Sequence, residues 1–381
     1  MKHYPILLFL ASALLGCGGN DPVDPGTDSI PSVPAPSFAK GADISWVSEM
    51  EKDGMTFRKK NGSEADIFEV LKETGINSIR LRVWVDPFDG WSGKSDVLRL
   101  AGRAAKAGMA VMIDFHYSDF FADPNRQTIP SAWKADKDDL EKMAKHVSSH
   151  TTEVLNALKS VGVTPAWVQV GNETRNGMLW PTGQLWTDSG NIPDGRVHFA
   201  QLLNAGYDAV KAVFPSCLVL VHLNHAYEDN TWWLNQIKTA GGKFDAIALS
   251  HYPQADNDFD GDNKDDITPE ECTNRALSQI RILVNNYGLP VIVSEIGVKT
   301  PSNEVYAAQL LSKFMAEAKK IDKCKGVFYW EPEVYDGWKP AIYSLPNQIE
   351  KFAGKKETWG AYDMGAFLSG GKASSVMGAF K

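Results

Sequence analysis

Two glutamates, Glu173 and Glu295, each stand just after a short apolar run of the chain. The first follows Trp-Val-Gln-Val-Gly-Asn at 167–172, and the second follows Val-Ile-Val-Ser at 291–294. Retaining hydrolysis of a glycoside needs two such carboxyl groups, because one protonates the leaving oxygen while the other attacks the sugar carbon from the opposite face. Catalytic distances tolerate little error, so both groups belong on rigid elements. The pair therefore indicates glycoside chemistry at the ends of two strands.

Apolar strand-like runs alternate with helix-period segments from residue 38 onward, and these are the elements that would position the pair. We predict strands at 39–45, 78–85, 110–115, 167–170, 218–223, 246–250, 291–294 and 326–330. Helical patterns lie between them at 64–74, 97–107, 138–160, 197–213, 268–286 and 303–321. This series indicates an α/β fold, a (β/α)8 TIM barrel, whose site lies at the C-terminal ends of the strands. Residues 38–381 are predicted to form a single catalytic domain.

The N-terminal segment 1–16 indicates a targeting signal rather than structure. Lys2 precedes an apolar run that is too short to span a bilayer and ends in Leu-Leu-Gly-Cys. The segment resembles a bacterial lipoprotein signal, which implies that cleavage leaves Cys17 lipidated; an ordinary secretory signal with a chance cysteine is the alternative. Residues 17–37, rich in Gly, Asp, Pro and Ser, are predicted to be a flexible linker. We expect anchoring to a bacterial membrane, with the outer membrane favoured, facing the cell surface or the periplasm.

The composition favours a carbohydrate partner over a nucleic acid. A net charge of −8 argues against nucleic acid or an anionic membrane surface, so the lipid would be the sole membrane contact. Twelve Trp and eleven Tyr give many faces on which sugar rings can stack. Cys217, Cys272 and Cys324 match no metal spacing and are expected to be buried small hydrophobes. No interface signal is visible, and we expect a monomer.

Charged and aromatic residues gather where the predicted strands end. Asp43 lies near the end of the first strand, and Arg80, Arg82 and Trp84 alternate along the second and so share one face. Buried arginines are costly unless they are paired. We predict that Arg82 keeps a catalytic glutamate ionised, and a structural salt bridge with Asp86 or Asp43 is the alternative.

The third predicted strand leads into a loop dense in polar and aromatic side chains, including His116, Asp119 and Trp133. Such a loop suits sugar binding. For His116, the position at a strand end supports a role as a sugar ligand, and a satisfied scaffold histidine is the alternative.

Several motifs together resemble glycoside hydrolase family 53, the endo-β-1,4-galactanases. They are Arg-Leu-Arg-Val-Trp-Val-Asp-Pro at 80–87, His-Tyr-Ser-Asp at 116–119, Ala-Asp-Pro at 122–124, Val-Gly-Asn-Glu at 170–173, Gly-Met-Leu-Trp-Pro at 177–181 and Tyr-Trp-Glu-Pro at 329–332. The resemblance covers the chain from about residue 38 to the C-terminus. It implies a retaining endo-hydrolase of β-1,4-galactan, the side chain of pectic type I arabinogalactan, that needs no cofactor for its chemistry.

The resemblance also assigns roles to individual residues. It implies that Glu173 is the acid/base, Glu295 the nucleophile and Asn172 the partner of the sugar 2-hydroxyl. Arg82 would be the supporting cation of the nucleophile and Tyr252 its hydrogen-bond donor, and both would lower the pKa of Glu295. The expected substrate-binding residues are Asp43, Trp84, His116, Asp119, Trp133, Trp180 and Trp330.

Departures from the family pattern leave the outer subsites and the product length open. Phe121 stands where a Trp is usual, His251 replaces a Tyr, and Gln-Ala-Asp at 254–256 replaces an aromatic-rich stretch. Another barrel glycosidase of the same clan, a mannanase or a glucanase, is the first alternative. A surface glycan-binding protein is the second, but it should have lost one of the two glutamates.

An acidic loop after the sixth strand has part of a calcium-binding pattern. Asp256, Asp258 and Asp260 occupy positions one, three and five, and a glycine follows at six, but Ile267 stands at position twelve, where the pattern has Glu. With Asp262 these carboxylates could bind a structural Ca²⁺, because clustered carboxylates repel each other unless a cation screens them. A solvated acidic loop is the alternative.

Overall fold

The computed structural model describes residues 33–253, 266–300, 303–353 and 364–381. Eight parallel strands close into a barrel in which neighbouring strands follow chain order. They are β1 (Ala39–Asp43), β2 (Ser78–Val83), β3 (Ala110–Phe115), β4 (Trp167–Val170), β5 (Leu218–Leu223), β6 (Ala246–His251), β7 (Val291–Ile296) and β8 (Cys324–Trp330). The predicted TIM barrel is confirmed. The signal segment, Cys17 and the predicted calcium loop at 256–262 lie outside the described residues.

Helices connect and flank the strands. They are α1 (Val47–Lys52), α2 (Ile67–Glu73), α3 (Lys94–Lys106), α4 (Leu140–Ser160), α5 (Gly195–Val213), α6 (Thr231–Thr239), α7 (Pro269–Tyr287), α8 (Glu304–Ala318) and α9 (Pro346–Ala353). The sequence pattern does not predict α1, α6 and α9, because they have six, nine and eight residues and show too few turns for a clear period. In the described part of the chain, no helix is both long and apolar enough to cross a bilayer.

The barrel interior has an apolar layer below a polar one. In the lower layer, Trp167 and Phe328 pack edge to face with ring centroids 5.9 Å apart. Gly41 leaves room for the Phe328 ring, since a Cβ on Gly41 would lie 2.0 Å from it. Inward positions recur every second residue along a strand, so the next layer comes from the C-terminal ends. This layer is buried and polar, and it contains Asp43, Arg80, Asp114, Gln169, His222 and Ser250.

Strand β7 contributes to the polar layer through an irregularity in its pairing. Val293 pairs with Leu249, and the next pair joins Glu295 to Ser250, so Ser294 is an extra residue on β7. Regular alternation would turn Ser294 inward, whereas the extra residue brings Glu295 to the inner face. Bulges of this kind are common beside active sites, where they re-aim a side chain.

Candidate active site

Arg80 lies at the centre of the polar layer and is 1% exposed. Its Nη1 is 2.7 Å from Asp43 Oδ2, and its Nη2 is 2.8 Å from both Asp114 Oδ2 and Glu295 Oε1. Burial opposes the charge of the guanidinium, but the three carboxylates outweigh burial and raise the pKa of Arg80 above its ordinary value. One permanent cation therefore orders three buried carboxylates.

Glu295 is held through both carboxylate oxygens and is 5% exposed. Oε1 faces Arg80, while Oε2 accepts hydrogen bonds from the Tyr252 hydroxyl at 2.6 Å and from Ser250 Oγ at 3.3 Å. Burial is the largest influence and raises the pKa of Glu295, while Arg80 and Tyr252 act in the opposite direction. Arg80 and Tyr252 thus lower the pKa of Glu295, as expected for a cation and a tyrosine, but the effect of burial is larger.

Arg82 lies in a cage of aromatic rings above this layer. Its guanidinium carbon is 4.0 Å from the centre of the Trp46 ring, 4.7 Å from that of Phe121 and 4.9 Å from that of Trp84. Its Nη1 forms an ion pair with Glu331, whose pKa burial raises to about 7 although Arg82 acts to lower it.

The prediction that Arg82 supports Glu295 is wrong, because Arg80 fills this position. Both arginines belong to the inward face of β2, but positions two residues apart on a strand are separated by about 6.6 Å. Only one of them can therefore lie level with Glu295.

Glu173 follows β4 and is 8% exposed at the edge of the cleft. Its backbone is left-handed, with φ 48° and ψ 52°, a conformation that costs a non-glycine residue energy and is frequent at functional sites. Its N–H donates to His222 Nδ1 at 3.2 Å. The preceding Asn172 accepts from Arg80 through Oδ1 at 2.9 Å and donates from Nδ2 to the Ala122 carbonyl at 2.8 Å. The Asn-Glu turn is therefore fixed on both sides.

His222 on β5 is a positioning residue that the sequence analysis misses. Its Nδ1 accepts hydrogen bonds from Gln169 Nε2 at 3.0 Å and from the Glu173 N–H. Asn172 Oδ1 also lies 2.9 Å from Nδ1. Because the backbone N–H of Glu173 can only donate, we assign the ring proton to Nε2, which then donates to Ser250 Oγ at 2.9 Å. Burial lowers the pKa of His222 well below its ordinary value, so the ring is neutral. Regular alternation along the predicted fifth strand is the signal that could have placed it on the inner face.

A cleft of about 340 Å³ opens above the polar layer. Of the predicted site residues, it brings together Asp43, Arg82, His116, Asn172, Glu173, Tyr252, Glu295 and Trp330. The half-buried Trp330 lies with its ring centre 6.0 Å from that of Tyr252. A flat indole beside two carboxyl groups suits the binding of a pyranose ring. Seven residues outside the set predicted to form the site also line the cleft: Arg80, Phe121, Ala122, Asp123, Arg126, Tyr343 and Met364.

His116 combines the two roles that the sequence leaves open. Its Nε2 is 2.9 Å from Asp114 Oδ2, and its Nδ1 accepts the Ala122 N–H at 2.9 Å. It therefore supports the polar layer while its ring lines the cleft.

Four residues predicted to bind substrate do not line this cleft. Trp84 is 3% exposed within the aromatic cage described above. Asp119 accepts two backbone N–H groups of neighbouring loops, at 3.1 and 2.8 Å. Trp133 stacks on His146 with ring centroids 5.2 Å apart, and Trp180 donates from Nε1 to a backbone carbonyl at 2.8 Å. These four side chains hold the loops in place.

The described residues contain no group of three or more His, Cys, Asp or Glu side chains that could hold a metal ion. Asp256, Asp258, Asp260 and Asp262, which are predicted to bind calcium, lie outside the described residues. Cys217, Cys272 and Cys324 are buried, in agreement with their predicted role as small apolar residues.

Comparison with known proteins shows to which family the chain belongs. The profile of Glycosyl hydrolase family 53 matches residues 39–367. The chain is 31% identical over 360 residues to the endo-beta-1,4-galactanase of Bacillus subtilis (strain 168), covering 86% of this chain and 75% of that protein. It is 32% identical over 329 residues to a probable arabinogalactan endo-beta-1,4-galactanase A of Aspergillus terreus, covering 80% and 88%. An uncharacterized protein of Niallia circulans is 34% identical, and this match spans 59% of that protein's length.

The chain is also similar to solved structures of family 53 proteins. The catalytic domain of a family 53 protein from Ignisphaera aggregans superposes with a TM-score of 0.73 at 26% identity, covering 91% of this chain and 98% of that one. A fungal beta-1,4-galactanase superposes with a TM-score of 0.70 at 27% identity, covering 90% and 98%.

Proposed function

Since the chain belongs to glycosyl hydrolase family 53, we propose that it cleaves β-1,4-galactosidic bonds inside galactan and type I arabinogalactan, with retention of anomeric configuration. The galactanase names of relatives at 31–32% identity support this substrate. The observation that carries the proposal is the cleft itself. There Glu173 from β4 and Glu295 from β7 line one cavity with the half-buried Trp330.

In the first step, Glu295 acts as the nucleophile and Glu173 as the acid. A carboxylate oxygen of Glu295 attacks the anomeric carbon while Glu173 gives its proton to the leaving oxygen, so one C–O bond forms as the glycosidic bond breaks. Arg80 and Tyr252 fix the orientation of the attacking carboxylate. Asn172 uses one Nδ2 proton on a carbonyl and has a second one for the sugar 2-hydroxyl.

In the second step, Glu173 acts as a base. Its carboxylate takes a proton from water, the water oxygen attacks the anomeric carbon, and the bond to Glu295 breaks. Two displacements at one carbon restore the original anomeric configuration. No cofactor takes part in either step.

The test is a time course of products from linear β-1,4-galactan, with mannan and mixed-linkage glucan beside it. Galacto-oligosaccharides of several lengths should appear early, and the freshly released reducing ends should be β-anomers in proton NMR. Cleavage of mannan or glucan instead of galactan would support glycosidase activity but refute galactan as the substrate. Binding of galactan without cleavage would indicate a glycan-binding protein.

Rescue of activity by azide distinguishes the role of Glu295 from that of Glu173. An aryl β-galactobioside with a good leaving group supplies the glycosyl unit without acid assistance. With Glu295→Ala, azide should restore turnover and give an α-glycosyl azide, because it replaces the missing nucleophile. With Glu173→Ala, it should give a β-glycosyl azide, because it replaces water in the second step. The reverse assignment of anomers would contradict the proposed roles.

Three further elements of the proposal rest on sequence patterns. The signal 1–16 would be removed and lipidated Cys17 would anchor the enzyme to the outer membrane, so Cys17→Ala should move it to the soluble fraction. Asp256, Asp258, Asp260 and Asp262 would bind a structural Ca²⁺, so EDTA should lower the melting temperature and calcium should restore it. The enzyme would be a monomer in light scattering. Unchanged partitioning, an unchanged melting temperature or a larger mass would refute the respective element.

A further inference from the structure

Trp186 and Trp232 form an aromatic pair that lies apart from the residues lining the cleft. Trp186 belongs to the segment between β4 and α5, and Trp232 is the second residue of α6, which follows β5. Both therefore lie on the C-terminal face of the barrel, which carries the site. Their ring centroids are 6.3 Å apart at an interplanar angle of 46°. Trp232 is 37% exposed and Trp186 is half-buried, so the pair offers an open indole surface.

The chain that directly follows Glu173 holds this pair in place. The Arg175 guanidinium carbon lies 5.6 Å from the centre of the Trp232 ring. Asn176 Oδ1 accepts the Trp186 N–H at 2.9 Å, and Asn176 Nδ2 donates to the Trp186 carbonyl at 3.1 Å. Each tryptophan is thus fixed by a residue only two or three positions after the acid/base.

The barrel geometry decides which part of a polymer would reach this pair. Trp330 ends β8 and Glu173 follows β4, and these strands lie on opposite sides of the closed barrel. The sugar that becomes attached to Glu295 would lie on the side of Trp330, whereas Glu173 meets the leaving oxygen. The leaving part of the chain would therefore extend across β4 and β5, where Trp186 and Trp232 lie.

We propose that Trp186 and Trp232 form a subsite that binds galactosyl units on the leaving side of the scissile bond. A β-galactopyranose has its 4-hydroxyl axial, so the C–H groups of one ring face are free to stack on an indole. The Arg175 guanidinium beside Trp232 pairs with Glu228 and donates to Asn230, and its remaining N–H groups can meet hydroxyl groups at the rim of such a ring. This inference rests on the proposed galactanase function.

The test compares two substrates that differ on the leaving side. One is a linear galactohexaose, and the other is an aryl β-galactotrioside whose leaving group ends at the aromatic ring. In Trp232→Ala, the ratio of kcat/KM for the hexaose to that for the aryl substrate should fall about fivefold to tenfold, mainly through KM. Trp186→Ala should lower the ratio in the same direction, and Trp232→Phe should restore part of it. Val305→Ala, on the 66% exposed Val305 of α8, is the control and should keep the wild-type ratio.

Several outcomes would overturn the subsite. An unchanged ratio in Trp232→Ala would show that the pair does not bind substrate. Equal losses on both substrates would show that Trp232 only supports the loop of Glu173, and Trp232→Phe would separate this from a folding defect. Wild-type enzyme that cleaves the aryl substrate but neither galactohexaose nor galactan would refute the galactanase function and the subsite with it.

Discussion

Removing the hydrogen bond from Tyr252 to Glu295 tests how the site keeps the proposed nucleophile, Glu295, ionised. The hydroxyl donates to Oε2 at 2.6 Å, and the Tyr252 ring packs against Trp330, so Tyr252→Phe removes the bond and keeps the packing. A hydrogen bond to a charged group contributes about 1.5–3 kcal/mol. Since it favours the ionised carboxylate, its loss should lower kcat/KM about tenfold to hundredfold. The same loss should raise the pKa of Glu295 further, because one of the two influences that oppose burial disappears.

The assay is the pH dependence of kcat/KM on an aryl galactobioside. Its acid limb reports deprotonation of the proposed nucleophile in the free enzyme, so a raised pKa of Glu295 should move this limb to higher pH. Tyr207→Phe is the matched control, because the Tyr207 hydroxyl also donates to a carboxylate, Asp245 at 3.0 Å, but belongs to α5. A rate loss in Tyr252→Phe with the acid limb in its original place, or shifted to lower pH, would refute the reasoning.

Three further predictions concern buried groups and are checked by urea unfolding. Arg80→Met leaves three buried carboxylates without their cation and should cost about 3–5 kcal/mol and abolish activity. Arg82→Met leaves the Arg80–Glu295 pair intact and should retain activity with the acid limb of kcat/KM in its original place. A loss of activity as complete as in Arg80→Met would contradict this distinction. Gly41→Ala puts a Cβ 2.0 Å from the Phe328 ring and should cost about 1–3 kcal/mol, which unchanged unfolding would disprove. Burial raises the pKa of Glu49 to about 7 from 4.5, so the folded state retains a proton that the unfolded state releases, and stability falls between these pH values. Between about pH 5 and 8, the free energy of unfolding should fall by about 2–3 kcal/mol less in Glu49→Gln than in the wild type. Parallel curves of unfolding free energy against pH for the two proteins would contradict this.

The sequence predicts the barrel well because eight apolar runs recur with helical patterns between most of them. It also predicts that Glu173 and Glu295 end strands that point to one face of the barrel. It fails to choose between Arg80 and Arg82, because alternation gives the face of a strand but not the height in the barrel. The height of Glu295 depends on the extra residue Ser294 in β7, which has no signature in the apolar pattern.

The tryptophans show a second limit of sequence reasoning. Trp84 at the end of the second predicted strand and Trp133 in the loop after the third look suited to sugar binding, yet both are buried in contacts with other rings. Trp186 and Trp232 carry no motif, yet they leave indole surface open on the face that holds the site. Whether an aromatic side chain packs or binds depends on which loops meet above the barrel, and these contacts join distant parts of the chain.

The two candidate catalytic glutamates are held in different ways, and the difference matches the two tasks. In the proposed mechanism Glu295 attacks one atom along one path, and its carboxylate is fixed by Arg80 and Tyr252 inside the polar layer. In the same mechanism Glu173 serves first the leaving oxygen and then water, and it stands on a left-handed turn at the edge of the cleft. His222 joins both, since one ring nitrogen accepts the Glu173 N–H and the other donates to Ser250, which reaches Glu295. Burial lowers the pKa of His222 well below its ordinary value, so the ring adds no second cation beside Arg80 to compete for the carboxylates.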